Sequence, residues 1–516
     1  MNLKNKIRNI FYAGLLLVGT TSCSDWLDVK MEDKVMENTL YETNEGYQIA
    51  LNGIYLDMVN LYVNDLTAGV LDVMAQYYYV TENYDHAYKI YSGYKFDDTS
   101  FETYLDRVWS KAYSLIANTN VLLEHCDADN AAVSPDYYPI VKGEALALRA
   151  MLHFDLLRLY GPVYNVEGAS QKCIPYQLSS AKDIQPLLPA SEVLQHVIDD
   201  LEEASKLLVD ADPIITEGVR NSVQNDNGLT NNNLNYRQFR LNYYAVQALL
   251  GRAYAWKGDK EKAYDIATNN IIDKITTEEL EVFPWTTEDA FYAEGKPDQL
   301  FSSEVFFAIY TTKRESVYTS LFSSDLNALK NRLTFVGTNF ADSKFTSFYD
   351  DPNDWRMAMW DVANNKDEET DENNGGSGEE QSTSLYLTKY QGVSRDATIS
   401  GTEFYRYMVP LVRLSEVYLM AAEGAPTRAE ALEYINTLRS HRSCRSIEDD
   451  ATLDLQSLIT KEFAREMIGE GQLFYYYKRH AMTEIISGTS INGTYGMVLS
   501  NYVLPLPKSE TDKRVM

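Results

Sequence analysis

Seven tyrosines crowd one stretch of the chain: Tyr77, Tyr78, Tyr79, Tyr84, Tyr88, Tyr91 and Tyr94. A tyrosine ring offers a flat apolar face at small entropic cost and a hydroxyl at its wet edge, which suits the face of a sugar ring or the polar rim of a cleft. Tyr78, Tyr84 and Tyr88 are nominated as ligand contacts, with Asn83 and Asp85 as polar companions that hydrogen-bond hydroxyls while the rings stack. The competing reading is that alternate tyrosines fill a core. Trp285, Trp355 and Trp360 fall in or beside loops and are further stacking candidates.

No group of residues that would break a covalent bond stands beside these rings. The chain contains no G-x-S-x-G, H-E-x-x-H, P-loop or G-x-G-x-x-G pattern, and its six histidines are scattered. His153 lies within an apolar helical pattern and reads as a hydrogen-bonded packing residue. Glycoside hydrolysis needs two carboxyl groups about 5 to 10 Å apart across a cleft. Among 75 acidic residues some pair always suggests itself, but none stands out. Asp350-Asp351-Pro352-Asn353-Asp354 carries oxygens suited to Ca²⁺, yet it lacks a calcium-loop spacing and reads as a turn. No catalytic residue, metal or cofactor is expected.

The four cysteines, Cys23, Cys126, Cys173 and Cys444, form no C-x-x-C pair and have no histidine at metal-ligand spacing. Cys23 has a chemistry of its own. Lys4, Lys6 and Arg8 precede an apolar run from Ile10 to Val18, and small residues from Gly19 to Ser22 follow. That order is a secretory signal peptide over residues 1–22, too short in its apolar part for the roughly 20 residues of a membrane span. Thr20-Thr21-Ser22-Cys23 resembles a bacterial lipoprotein box, with Thr20 where leucine is usual. Cys23 is therefore the expected lipidation site, and several acyl chains on it would anchor the chain stably. Nothing after Val18 offers an uninterrupted apolar stretch long enough to span a bilayer.

The elements that must position the rings read as helices. Val141, Ala145, Leu148, Leu152, Leu156 and Leu159 share one helical face, and Gly161-Pro162 stops it. Similar patterns run from Asn242 to Trp256, ending at Lys257-Gly258-Asp259, and from Val412 to Glu423, with Glu430 to Arg439 after a Gly-Ala-Pro break. Further helices are expected over 103–124 and 191–208, the latter capped by Ser191. In the 242–267 unit, Leu250-Gly251, Tyr254, Gly258 and Ala263 hold the relative positions of a tetratricopeptide repeat. The fold class expected is mainly α, a tetratricopeptide-like scaffold of helical hairpins with long irregular loops on the ligand side. Units lie near 103–160, 191–267, 412–440 and 455–480, and residues 23–516 form one composite domain. The formal net charge of −29 makes the surface repel phosphate backbones, so nucleic acid is not an expected partner.

Five ordered segments carry a resemblance. Cys23-Ser24-Asp25-Trp26-Leu27-Asp28-Val29 opens the mature chain, and Gly143 to Ala150 runs on through Phe154 to Val163. Arg413 to Glu423 is followed by Ile435 to Arg439, then by Glu466-Met467-Ile468-Gly469-Glu470-Gly471 with Lys478-Arg479, and last by Leu504-Pro505-Leu506-Pro507. From Cys23 to about Glu510 these segments resemble the SusD/RagB family, outer-membrane nutrient-binding lipoproteins of Bacteroidetes. Two places depart from its pattern: Glu462-Phe463 replaces a usual Glu-Arg, and Gln472 to Tyr477 replaces a usual Arg-Trp-Phe-Asp-Leu run. The resemblance implies a non-enzymatic, surface-exposed lipoprotein of the outer membrane. Such a protein binds an oligosaccharide, or in some members a peptide, and works as a lid on a TonB-dependent SusC-like transporter. The alternatives are a surface glycoside hydrolase and a transporter lid with no ligand affinity of its own.

Overall fold

In the computed structural model, residues 37–514 are described apart from 38, 64, 81–84, 220–233, 365–382, 394–403 and 451. The signal segment, Cys23, Asn83 and Tyr84 therefore lie outside the described residues.

Local chemistry sets the helix ends. The Thr43 side chain caps α1 (Asn44–Asp57), and Asp98 caps the long α2 (Thr99–Cys126). Pro139 begins α3 (Tyr138–Tyr160), where its missing N–H is no loss, and Gly161 ends it. Helix α4 (Ala190–Leu208) follows Pro189 directly, without a side-chain cap. Ser191, the expected cap, lies inside the first turn, because Pro189 in an extended conformation already sets the boundary. Asn242 caps α5 (Tyr243–Lys257), which ends on Gly258 at φ 85°, and Asp259 caps α6 (Lys260–Asp265), which continues through a π-helical stretch, Ile266–Ile272. Later in the chain come α7 (Glu315–Leu321) and α8 (Leu414–Gly424), then α9 (Arg428–Ser440), which opens with a reciprocal Thr427–Glu430 capping box. Helices α10 (Leu455–Met467) and α11 (Leu473–Arg479) complete the set.

These helices stack largely as neighbours in chain order. α3 lies between α2 and α4, α5 packs on α4, and α6 packs on α5 and α8; α8 pairs with α9, and α10 packs on both. Every residue of α3 from Gly143 to Tyr160 is buried, so the helix has no solvent face. Close crossings fall at small residues: a Cβ on Gly143 would sit 2.8 Å from Leu208 Cγ, and one on Gly424 would sit 2.7 Å from the Lys260 carbonyl oxygen. A single cluster of buried side chains runs from Tyr41 to Leu504. No helix among the described residues is long and apolar enough to cross a membrane.

Strands are few and short. The small pair β1 (Lys172–Ile174) and β2 (Leu188–Pro189) borders α4. β3 (Val305–Tyr310) pairs antiparallel with β7 (Met408–Arg413), Tyr310 opposite Met408. β4 (Thr334–Phe335), β6 (Thr383–Leu387) and β5 (Trp360–Asn364) form a three-stranded sheet in that order, and β8 (Glu484–Ile486) pairs with β9 (Thr494–Gly496).

Buried charges tie the scaffold to these irregular parts. Arg356 donates to Asp354, Glu462 and Glu466, and Arg413 to Glu466 and Glu470. Arg442 bridges Glu304 and Glu466. Gly469 and Gly471, at φ 82° and 70°, turn their N–H groups onto the two Asp72 carboxylate oxygens at 2.7 and 3.0 Å. A Cβ on Gly471 would lie 2.5 Å from the Leu66 carbonyl oxygen, so glycine is required there.

Candidate ligand-binding site

An aromatic platform forms at the open end of the β3–β7 ladder. β3 is buried along its length except at its last residue, Tyr310, which is 40% exposed. The ladder sets it beside Tyr407, their ring centroids 5.4 Å apart and tilted by 40°. Phe239 meets the Tyr310 ring edge-on at 5.4 Å, with Phe404 beyond it at 6.4 Å. Phe239 is held by its neighbours: Gln238 donates to the Ser302 and Val305 carbonyls, and Arg237 is locked between Asp212 and Glu144. Next to Tyr407 opens a groove of about 290 Å³, lined by Thr312, Arg314, Glu315, Gly392, Val393 and Arg406. Apolar rings beside polar groups are what a hydroxylated, flat-faced ligand requires.

The residues nominated from the sequence are not gathered in one place. Tyr78 is 1% exposed; its ring packs against Phe322 and its hydroxyl donates to Asp72 at 3.3 Å. Trp355 is 5% exposed and stacks on Phe291 at 5.3 Å, and Trp360 is 4% exposed against Phe335. None of these three rings has a face left for a ligand, so each is corrected to a packing role. Tyr88 is half-buried, with Tyr91 at 6.1 Å, and burial pushes its hydroxyl pKa up to about 12. Asp85 is exposed, at φ 55°, and pairs with Lys89, beside a recess lined by Lys89, Ile90, Lys95, Asp97 and Asp98. Trp285 lies elsewhere, half-buried, stacked on His441 at 4.5 Å and flanked by Tyr418.

The Tyr88 segment and the platform are connected through α7. Arg314 and Glu315 at its start line the platform's groove, and the carbonyl of Leu321, nearly two turns on, accepts from Leu333 N at 2.8 Å. Ala87 N in turn reaches the Lys330 carbonyl at 2.7 Å.

Other polar residues read from the sequence are engaged structurally. His153 accepts from Gln177 N through Nε2 at 3.0 Å, leaving Nδ1–H to donate to the Arg149 carbonyl at 2.8 Å. Full burial pushes its pKa down to about 3, so it stays neutral. Asp350 pairs with Arg439 and Arg465, Asp351 with Arg445, and Asp354 with Arg356. Those carboxylates hold arginines, and no group of three or more metal-binding side chains occurs among the described residues.

Residues 25–217 match a SusD-like family model described as starch-binding and associating with the outer membrane, and residues 310–502 match the SusD family model. The chain belongs to the SusD/RagB family. SusD-like protein P38 of Formosa agariphila is 23% identical over 506 residues, covering 90% of each chain. A SusD superfamily protein from Bacteroides thetaiotaomicron superposes with a TM-score of 0.64 at 23% identity, covering 91% of this chain and 98% of that one. A laminarin-binding SusD-like protein gives 0.55 at 16% identity, over 91% and 98%. The SusD fold is thus shared over nearly the whole described chain.

Proposed function

We propose that this SusD-family chain is a lipoprotein, anchored through Cys23 to the outer membrane and exposed at the cell surface. It captures an extracellular oligosaccharide unchanged and passes it to a partner TonB-dependent transporter of the SusC type. The observation that carries the capture step is the platform of Tyr310, Tyr407 and Phe239 at the mouth of a polar groove. The family's description as starch-binding and outer-membrane-associated supports the same reading, as does the laminarin-binding relative. Binding without turnover is favoured over hydrolysis because, among the described residues, the groove's lining has one carboxylate, Glu315, where two are needed. Tyr88 with Asp85, and separately Trp285, serve as contacts for outlying sugar units.

The test is a binding screen of the purified chain lacking its lipid against neutral glycans, laminarin among them, and peptides. Tyr310→Ala and Tyr407→Ala are expected to weaken glycan binding by about tenfold or more, the size of a central aromatic contact, with unchanged thermal unfolding. Release of shorter sugars from the probe would favour a hydrolase. Wild-type affinity in both variants would remove the platform from the site.

A further inference from the structure

One buried cation at the groove lacks the carboxylate partner that most buried arginines of the molecule have. Arg314 is 3% exposed, yet among the described residues its guanidinium makes one hydrogen bond, from Nη2 to the Gln391 carbonyl at 2.9 Å, and its Nε has no partner. No carboxylate lies within ion-pair distance of it among those residues. Other buried arginines of the molecule, such as Arg149, Arg237, Arg356 and Arg413, each hold at least one. A buried guanidinium cannot shed its proton at neutral pH, so burying it without a counter-charge is costly. Burial duly pushes its pKa below the usual arginine value. An anion that reached the guanidinium would offset that cost.

The rest of the groove agrees with such a ligand. Arg406 adds a second guanidinium on the same wall, donating to the Val393 carbonyl at 3.3 Å. Tyr407 joins the groove to the platform, so a sugar ring on Tyr310 and Tyr407 would bring a substituent on its edge toward Arg314. Glu315 opposes this at the exposed rim, where solvent and salt weaken its effect. We infer that the groove beside the platform is an anion subsite, and that the captured glycan carries an acidic substituent, a carboxylate or a sulfate ester, that pairs with Arg314. This inference rests on the glycan-capture reading and narrows its substrate class.

Three probes with the same hexose backbone test it by calorimetry: galactose oligomers, galacturonic acid oligomers and sulfated galactose oligomers. At least one acidic series is expected to bind tenfold or more tightly than the neutral one, and which series does so separates carboxylate from sulfate. Arg314→Gln should lower acidic binding by about tenfold or more, as for loss of a desolvated charge partner, and lower neutral binding by much less, so that the acidic preference collapses. Glu315→Gln should raise acidic affinity by roughly twofold to fivefold, the size of an exposed charge interaction. A gain of that kind cannot come from misfolding. If neutral oligomers bind as tightly as both acidic series, or Glu315→Gln leaves all affinities unchanged, the acidic subsite is overturned while glycan capture stands. If none of the three probes binds while a neutral glycan of the wider screen does, the acidic subsite is overturned and glycan capture stands; if that screen is empty as well, both fail.

Discussion

Glu466 has three arginines on its side chain, Arg356, Arg413 and Arg442, in a site closed to solvent. Taking one partner from such a group leaves the others as uncompensated buried charge, at a cost of about 3 to 5 kcal/mol. Glu466→Ala is therefore expected to lose that much in urea unfolding, and a loss under about 1 kcal/mol would show the cluster to be dispensable. The same arginines hold Glu466 well below its usual pKa of 4.5, and Arg356, Arg465 and Arg439 hold Glu462 below it as well. A carboxyl whose folded pKa is depressed adds stability that is complete above its unfolded pKa and is lost as pH falls toward the folded value. Thermal stability should thus change little through these groups above about pH 4.5 and fall progressively below it. A melting temperature as high at pH 2.5 as at pH 6 would contradict the sign.

At the scale of elements, glycines report how closely helices and loops approach. Gly143→Ala pushes a methyl into Leu208 on α4, and such overpacking costs about 1 to 3 kcal/mol. Gly471→Ala is expected to cost more, since its φ of 70° is strained for alanine and the new methyl meets backbone that cannot move aside. Chemical denaturation of both variants checks the order; a smaller effect at Gly471 would reverse it. Helices were the legible part of the sequence, because spacing by threes and fours is local: the expected 242–256 forms as Tyr243–Lys257, and 430–439 as Arg428–Ser440. Tyr78 was misread for an equally local reason. Gln76 sits in the left-handed region at φ 61°, and beyond it both Tyr77 and Tyr78 turn inward instead of alternating. The platform left no local signal, since Tyr310 and Tyr407 meet through the β3–β7 pairing and Phe239 comes to them from a distant turn, Arg237–Phe239. The two departures from the family pattern prove to be partners: Phe463 on α10 stacks against Tyr476 on α11 at 4.3 Å. Each substitution makes sense beside the other.

At the scale of the whole molecule, one buried cluster from Tyr41 to Leu504 takes in both the helical stack and the strands among the described residues. Unfolding is expected to give one cooperative transition, coincident by near- and far-ultraviolet circular dichroism. Two separated transitions would mean that the loops and strands form a second unit. The thiols of Cys126, Cys173 and Cys444 are unpaired and buried, and burial pushes their pKa values up to about 12, 11 and 12. A thiol kept protonated and out of reach does not react with maleimides or disulfide reagents. In a chain expressed from residue 24, a cysteine introduced at exposed Val166 would then be the one position to take a fluorophore. Such a label would report on ligand binding in solution with Cys126, Cys173 and Cys444 left in place.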